Sequence, residues 1–363
     1  MNDRLHPNKS FQFIFKPALD CNLACRYCYA KEMRCDASPR MSLTEAKAAF
    51  DWVFQFCDYY GIRKTSILWQ GGEPLLPGPS FMKEILEYYE KGFQDRKITN
   101  SNIIQTNLLL FNKDFIPLIH SYFDHAIGFS FDYMSDTRCF PDGSNANEAI
   151  WRKVETLSNY NLKLSCICQI TNSNVNNMES LYHHFKACGI DFKISQIFPS
   201  QSNENGETEV LPAELTAAAV CRLFDIWLND PNPTIDITNL KNIMLAFIRG
   251  FSTECCRKED CSTLLLSLVP GGRIFPCARY ADRNDIIGNY YTDAPAKVMN
   301  NRQILSGLSQ KDETNCKRCQ FLKICHGGCT YNRMVGWGRE ECLSNQIILS
   351  HIYNQLKKHG ILK

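Results

Sequence analysis

The chain has 363 residues, with 40 basic and 38 acidic side chains, and 44% of its residues are hydrophobic. This hydrophobic content supports a buried core and excludes disorder, and the length fits one large domain with a smaller one. The formal charge of +2 gives no electrostatic surface for nucleic acid. The sequence shows no secretory signal and no apolar run of about 20 residues, so we expect a cytoplasmic protein that binds neither nucleic acid nor membrane.

Short β-rich runs alternate with helical patterns over the first two thirds of the chain. Six strands are predicted, each followed by a segment with apolar residues three and four positions apart. The predicted strands are 11–15, 66–69, 102–105, 127–131, 162–170 and 191–197. Six βα units predict an α/β fold with a parallel sheet, in the form of a partial (β/α)6 TIM-like barrel. Ligands of such sheets bind at the carboxyl ends of the strands, so the βα loops should form the site.

The predicted helices lie between these strands. The first has a capping signal, in which Ser42 caps the N terminus and Glu45, three residues on, reaches back to it. The others are predicted at 81–93, 113–121, 148–159, 175–188 and 212–229.

The pattern changes in the last third of the chain, which is loop-rich and dense in Cys and Gly. One hairpin is predicted there, with 264–269 and 273–277 on either side of a Pro-Gly-Gly turn. We therefore predict two domains, 1–235 and 236–363. The chain contains 19 cysteines, and dense cysteine in a cytosolic protein usually indicates metal. Metal centres are expected to stabilise the second domain, because little apolar surface remains there.

Cys21, Cys25 and Cys28 form a C-x3-C-x2-C run directly after the first strand. Three thiolates on one loop can hold a [4Fe-4S] cube and leave one iron without a protein ligand. Such an iron is open to chemistry. A zinc site completed by a remote His or Cys is the alternative, although structural zinc motifs are usually paired C-x2-C knuckles.

This run resembles that of the radical S-adenosylmethionine (radical SAM) superfamily. The resemblance makes Cys21, Cys25 and Cys28 the catalytic cluster ligands. It implies that SAM chelates the open iron and is reductively cleaved to a 5′-deoxyadenosyl radical, which abstracts hydrogen from a substrate. The protein then supplies orientation and exclusion of water.

Further motifs after later strands extend the resemblance. Gln70-Gly71-Gly72-Glu73-Pro74 is similar to the family's GGEP motif, in which glycines approach the methionyl end of SAM and Glu73 accepts its ammonium group. Gln105-Thr106-Asn107 resembles the family's QTN motif. The implied SAM contacts are Tyr27 near adenine, Ser130 and Arg152 at the carboxylate, and Gly71, Gly72, Glu73 and Asn107. An ordinary turn and a solvated helical arginine are the alternatives for GGEP and Arg152.

A second cysteine series occupies the C-terminal part of the chain. Its eight cysteines are enough for two four-cysteine sites, and two zinc ribbons are the alternative. The series resembles the SPASM extension of radical SAM peptide-modifying enzymes, which implies three [4Fe-4S] clusters in all, one binding SAM and two auxiliary. By this resemblance, auxiliary cluster I takes Cys255, Cys261, Cys277 and Cys329, and auxiliary cluster II takes Cys316, Cys319, Cys325 and Cys342. Cys256 competes with Cys255 for the first position.

The resemblance implies a radical SAM oxidoreductase that acts on a peptide or protein. In sulfatase maturases an aspartate base follows the third cysteine of auxiliary cluster I, whereas this chain has Ala278, which cannot accept a proton. We therefore expect a maturase that forms a C–C or C–S crosslink in a ribosomally synthesised precursor peptide. An anaerobic sulfatase-maturating enzyme that makes formylglycine from Ser or Cys is the first alternative. A non-catalytic iron–sulfur or zinc protein for electron transfer or scaffolding is the second. The expected partners are the precursor peptide and a flavodoxin- or ferredoxin-type reductant.

Overall fold

The computed structural model of the chain describes residues 10–31, 39–200, 209–257, 261, 264–308 and 313–362. Within these ranges, one sheet organises the fold. Its strands are β1 Phe11–Phe15, β2 Lys64–Trp69, β3 Thr99–Thr106, β4 Ala126–Ser130, β5 Lys163–Ile170, β6 Asp191–Gln196, β7 Leu265–Leu268, β8 Arg273–Phe275 and β9 Gly288–Asn289.

The strand order is β6-β5-β4-β3-β2-β1-β7-β8-β9. Strands β1 to β6 pair in parallel and follow one another across the sheet. The α/β fold class with an open, six-unit barrel is therefore confirmed. The predicted hairpin also forms, because β7 and β8 pair antiparallel. Strand β7 pairs in parallel with β1, so the C-terminal segment extends the barrel sheet.

Helices follow the strands as the apolar periodicity predicts. They are α1 Leu43–Tyr60, α2 Gly78–Asp95, α3 Ile116–Tyr122, α4 Asn147–Leu157, α5 Met178–Cys188, α6 Ala213–Leu228, α7 Thr238–Arg249, α8 Pro295–Leu308, α9 Glu313–Arg318, α10 Leu322–Cys325, α11 Thr330–Met334 and α12 Gly338–Lys358. Among the described helices, none is both long and apolar enough to cross a bilayer.

The cap of α1 differs from its prediction in one respect. The Ser42 side chain accepts a hydrogen bond from the Glu45 backbone N–H at 3.1 Å, as predicted. The Glu45 carboxylate, however, accepts from Gly271 N at 2.6 Å and from Tyr290 Oη at 2.9 Å. It therefore ties the start of α1 to the β7–β8 hairpin, because the turn offers an N–H that needs an acceptor.

Aromatic packing supports the strands that carry the site. Phe15 of β1 contacts Phe50 and Trp69, and Phe50 stacks on Tyr89 with ring centroids 4.3 Å apart. The Trp69 indole N–H donates to Tyr89 Oη at 3.0 Å. These buried rings fix β1 and β2 against α1 and α2, so the loops after both strands start from rigid positions.

The same hydrophobic core continues into the C-terminal segment. Helix α12 packs against α6 and α7, and its apolar residues belong to the core that surrounds the barrel. The boundary between 1–235 and 236–363 stays a prediction.

Candidate active site

A cavity opens at the carboxyl ends of the barrel strands, where the fold predicts a ligand. The loop after β1, the turn after β2 and the ends of β3 to β6 line it. The lining includes nine of the predicted site residues: Cys21, Cys25, Tyr27, Cys28, Gly71, Gly72, Glu73, Asn107 and Ser130. The structure therefore brings motifs from four separate parts of the sequence to one place.

The three cysteines of the β1 loop, which we call the N-terminal cysteine group, line the cavity, and two of their sulfurs receive donors. The Cys21 sulfur accepts from Leu23 N at 3.4 Å and from Asn107 Nδ2 at 3.7 Å. The Arg138 guanidinium lies 3.8 Å from Cys25 Sγ. Within the described residues, no three Cys, His, Asp or Glu side chains are grouped so as to hold a metal ion. The fit to an iron–sulfur cluster therefore rests on the donor set, three cysteines on one loop, two of which meet N–H donors or a cation.

The glycines of the GGEP turn approach protein backbone. Gly72 N donates to Ala18 O and Glu73 N donates to Asp20 O, each at 2.9 Å. A Cβ added at Gly72 would lie 2.0 Å from Asp20 O, and one at Gly71 would lie 2.2 Å from Ala18 O. Glycine is thus required because the turn packs against the cysteine loop, a reason that the sequence motif does not contain.

Glu73 lines the cavity and accepts three hydrogen bonds from the protein, and its role toward the SAM ammonium group stays a prediction. It is 1% exposed, and its carboxylate accepts from Leu75 N at 3.1 Å, Thr106 Oγ1 at 2.6 Å and Asn107 N at 2.8 Å. Burial raises its pKa to about 7, against the lowering effect of these donors. The Glu73 side chain therefore connects the end of β2 to the end of β3 by hydrogen bonds.

Asn107 and Ser130 both line the cavity and are held by neighbouring side chains. Asn107 Nδ2 donates to Asn22 Oδ1 at 2.8 Å, which fixes the cysteine loop to the end of β3. Ser130 Oγ accepts from Gln105 Nε2 at 2.9 Å.

Arg152 does not occupy the place that the sequence predicts. Its side chain is 74% exposed on α4 and pairs with Glu148 one turn away. The arginine in the cavity wall is Arg138, from the loop after β4. Helical spacing led to Arg152, whereas the loop that carries Arg138 has no periodic pattern from which its direction could be inferred.

Arg138 belongs to a buried polar triad with Asp132 and Tyr27. Its guanidinium lies 3.3 Å from Asp132 Oδ2 and donates to Tyr27 Oη, and Tyr27 Oη donates to Asp132 Oδ2 at 2.5 Å. Burial raises the pKa of Tyr27 well above its ordinary value. Tyr27, predicted near adenine, is thereby held at the cavity wall beside Cys25 and Cys28.

The C-terminal cysteines influence one another's pKa values in two sets. Burial raises the pKa of Cys255 to about 12, and the thiols that add to this shift are Cys277, Cys261, Cys256 and Cys329. We call Cys255, Cys261, Cys277 and Cys329 cysteine group I. Burial likewise raises the pKa of Cys342, with Cys316 and Cys319 adding to it, and Cys342 in turn raises the pKa of Cys325. These four form cysteine group II. These influences follow the two interleaved sets that the resemblance implies, and the assignment of cluster ligands stays a prediction.

Cys256 faces different charges from Cys255. Burial raises its pKa, and its charged neighbours are Arg257, Glu254, Glu341 and Lys193. Cys256 also acts on the Cys255 thiol, so the choice between the two as the first ligand stays a prediction.

The model of the Radical SAM superfamily matches residues 16–187, which cover β1 to α5 and the cavity described above. The chain contains a radical SAM domain. The cofactors of this domain are a [4Fe-4S] cluster and SAM, and the protein is an enzyme of this class. The family match does not test the peptide crosslinking that we expected from the sequence. The individual relatives bear on that expectation.

The relatives and solved structures extend the similarity beyond the radical SAM domain. A cysteine-type anaerobic sulfatase-maturating enzyme of Clostridium novyi is 23% identical over 346 residues, covering 90% of this chain and 89% of the relative. The structure of anSMEcpe with bound AdoMet and Cp18Cys peptide has a TM-score of 0.81 and 20% identity, covering 96% of this chain and 98% of that one. The structure of Streptococcus suis SuiB bound to precursor peptide SuiA has a TM-score of 0.57 and 17% identity, covering 88% of this chain and 72% of that one. These structural likenesses show a shared fold.

Between the radical SAM domain and cysteine group I lies a layer of aromatic and basic side chains. The rings of Tyr29 and Phe198, which line the cavity, have centroids 5.6 Å apart. The Arg279 guanidinium lies 3.9 Å from the Phe198 ring centroid and donates to Asn332 Oδ1 at 2.9 Å. Among the described residues that line the cavity, Glu73 is the one carboxylate. Ala278, the residue before Arg279, is 8% exposed and has no acidic side chain.

Proposed function

We propose that this radical SAM enzyme oxidises a cysteine or serine side chain in a peptide or protein to formylglycine, as an anaerobic sulfatase-maturating-type enzyme. The observation that carries the proposal is the fold shared along almost the whole length of both chains with anSMEcpe, whose structure contains AdoMet and the Cp18Cys peptide. The similarity to the Clostridium novyi sulfatase-maturating enzyme supports the same substrate class. The comparisons favour this activity over the crosslinking that we expected from the sequence.

The proposal assigns the cofactors to the three cysteine groups. The N-terminal group would hold the SAM-binding cluster, and groups I and II would hold auxiliary clusters. When bound, the cluster and SAM supply the radical that removes a hydrogen atom from the substrate. Around them, Asn107 and Arg138 donate to the cysteine sulfurs, Glu73 keeps the ends of β2 and β3 together, and Tyr29 and Phe198 close the inner wall against water.

The oxidation removes two electrons and two protons from the substrate, which correspond to one hydrogen on the carbon and one on its heteroatom. One hydrogen leaves as an atom and the heteroatom releases a proton; an auxiliary cluster held by group I or group II would accept the remaining electron. For cysteine, water then replaces sulfur, which leaves as hydrogen sulfide. A thiol has a pKa of about 8.5 and releases its proton far more readily than a hydroxyl group. With alanine at position 278, cysteine is therefore the better substrate of the two.

A second candidate is the crosslinking of a precursor peptide, with a flavodoxin- or ferredoxin-type protein supplying electrons. Ala278 favours it, because the resemblance implies a general base at this position and alanine cannot accept a proton. In both reactions the substrate is a peptide side chain and the first step removes hydrogen from it.

The deciding experiment is anaerobic turnover of the reconstituted enzyme with SAM, reductant and the Cp18Cys peptide, followed by mass spectrometry and hydrazide capture. Formylglycine carries a carbonyl group and is captured, whereas a crosslinked product is not. A matched peptide with serine in place of cysteine tests the predicted preference. Cys28→Ala serves as the control, since it should abolish reductive SAM cleavage. If the enzyme cleaves SAM reductively but no carbonyl product forms, the proposal is contradicted.

A further inference from the structure

Four Lys or Arg side chains are buried in the part of the chain that the structure describes: Lys16, Arg138, Arg257 and Arg302. A buried cation loses its hydration and is stable only where an opposite charge or strong acceptor offsets that cost. The four cations are not scattered through the core. Each lies beside one of the three cysteine groups.

The contacts of three of these cations show the pattern. Arg138 lies 3.8 Å from the Cys25 sulfur in the N-terminal group. Arg302 donates to the backbone carbonyl of Cys261 in group I at 3.0 Å. Arg257 donates to Asn345 Oδ1 at 2.7 Å, and Asn345 Nδ2 lies 4.0 Å from the Cys325 sulfur of group II. Arg138 and Arg257 also pair with the buried carboxylates of Asp132 and Glu254, so the cysteine groups are an additional source of negative charge beside them.

Lys16 differs from the others because it faces two cysteine groups. It follows β1 directly, is fully buried, and its backbone N–H donates to Leu268 O of β7 at 3.0 Å. Its ammonium lies 5.5 Å from the ring centroid of Tyr29, the residue after Cys28. The same ammonium donates to the carbonyl of Ala278, the residue after Cys277, at 3.4 Å. Lys16 therefore sits between the N-terminal group and group I.

The direct partners of Lys16 offset only part of the cost of its burial. The bond to Ala278 O is long, and a neutral carbonyl together with the Tyr29 ring compensates less than an opposite charge would. No carboxylate is paired with Lys16 among the described ion pairs. Burial lowers the pKa of Lys16 to about 8, and the thiols of Cys277 and Cys28 act on this pKa in the opposite direction.

We propose that Lys16 is a shared counter-charge for the N-terminal cysteine group and group I, and that it raises the reduction potentials of the clusters that both groups hold. Reduction adds an electron to a cluster that its thiolates already make negative, so a nearby cation stabilises the reduced state. The water-poor interior strengthens this effect. Arg279, which lies 3.8 Å from the Cys329 sulfur, acts in the same way on group I alone. The inference rests on the cluster assignments of the proposed function.

The test is an EPR-monitored redox titration of the anaerobically reconstituted full chain, without peptide. The signal that changes when SAM is added marks the N-terminal cluster. Lys16→Met should shift both this signal and one SAM-insensitive signal to more negative potentials, and Lys16→Arg should restore both. Arg279→Gln should shift only the SAM-insensitive signal. Arg152→Met removes an exposed positive charge and should shift neither.

Unchanged potentials in a Lys16→Met protein with full iron content would overturn the proposal, as would an equal shift in Lys16→Arg. If Lys16→Met loses iron, Lys16→Gln gives a second neutral variant that still reaches toward the Ala278 carbonyl. Iron loss in both neutral variants with retention in Lys16→Arg supports the counter-charge, and iron loss in all three refutes it. A wild-type protein with all its clusters but no formylglycine product would refute the proposed reaction and leave the role of Lys16 standing.

Discussion

Replacing Arg138 by methionine removes the cation of a buried triad while keeping most of the apolar stem. The triad couples the cysteine loop to the end of β4, because Arg138 contacts Tyr27 and Asp132 and approaches the Cys25 sulfur. We expect Arg138→Met to destabilise the protein and to weaken SAM binding, since the cavity wall loses its arginine.

The size of the destabilisation follows from what remains around Asp132. Its carboxylate is fully buried, and the Arg138 side chain is 8% exposed. Breaking a buried ion pair by removing one partner typically costs about 3 to 5 kcal/mol. Asp132 keeps hydrogen bonds from Gln169 N at 2.9 Å and Tyr27 Oη at 2.5 Å, so two donors still stabilise its negative charge. We therefore expect the lower end, about 3 kcal/mol.

The assay is anaerobic guanidinium denaturation of the reconstituted enzyme, with SAM binding measured in parallel. Arg152→Met is the matched control, because its ion pair with Glu148 is 74% and 79% exposed and should change stability by no more than about 0.5 kcal/mol. Adding Asp132→Asn to Arg138→Met should recover part of the loss, since the uncompensated charge is removed. Equal midpoints for Arg138→Met and Arg152→Met would refute the reasoning.

Three further predictions concern the same region. Gly72→Ala should reduce iron incorporation at the N-terminal group, because its Cβ would lie 2.0 Å from a backbone oxygen of the cysteine loop; iron content equal to wild type would contradict this close packing. Glu73 has a folded pKa raised to about 7, so wild-type stability should fall as the pH rises from about 5 toward 7, while the unfolded carboxyl is already ionised. Denaturation midpoints of Glu73→Gln should lack that slope, and below about pH 5 the variant should be less stable than wild type because one buried N–H loses its acceptor. Cys255→Ala should lose the iron of one auxiliary cluster, whereas Cys256→Ala should keep it. If iron analysis shows the reverse, Cys256 and not Cys255 is the cluster ligand.

Local patterns in the sequence were enough to predict much of this fold. The strand from 11 to 15 and the hairpin around 270–272 form where expected, and the six βα units lie in order across the sheet. These features depend on the two-residue period of strands and on the three- and four-residue spacing of helices, which a single sequence displays. The spacing of Cys21, Cys25 and Cys28 likewise predicted one group, because residues on one short loop stay close in any fold, whereas the two C-terminal sets were implied by the resemblance.

Contacts between distant segments could be decided only by the tertiary structure. Sequence spacing favoured Arg152, but packing of the loop after β4 puts Arg138 at the cavity. The sequence predicted a SAM contact for Glu73, but only the parallel pairing of β2 with β3 shows that a backbone N–H and a hydroxyl group from the end of β3 also donate to its carboxylate. Lys16 carried no signal at all in the sequence, since its significance comes from the pairing of β7 with β1, which places residue 278 beside residue 16. Burial and long-range pairing, rather than residue type, give these side chains their roles.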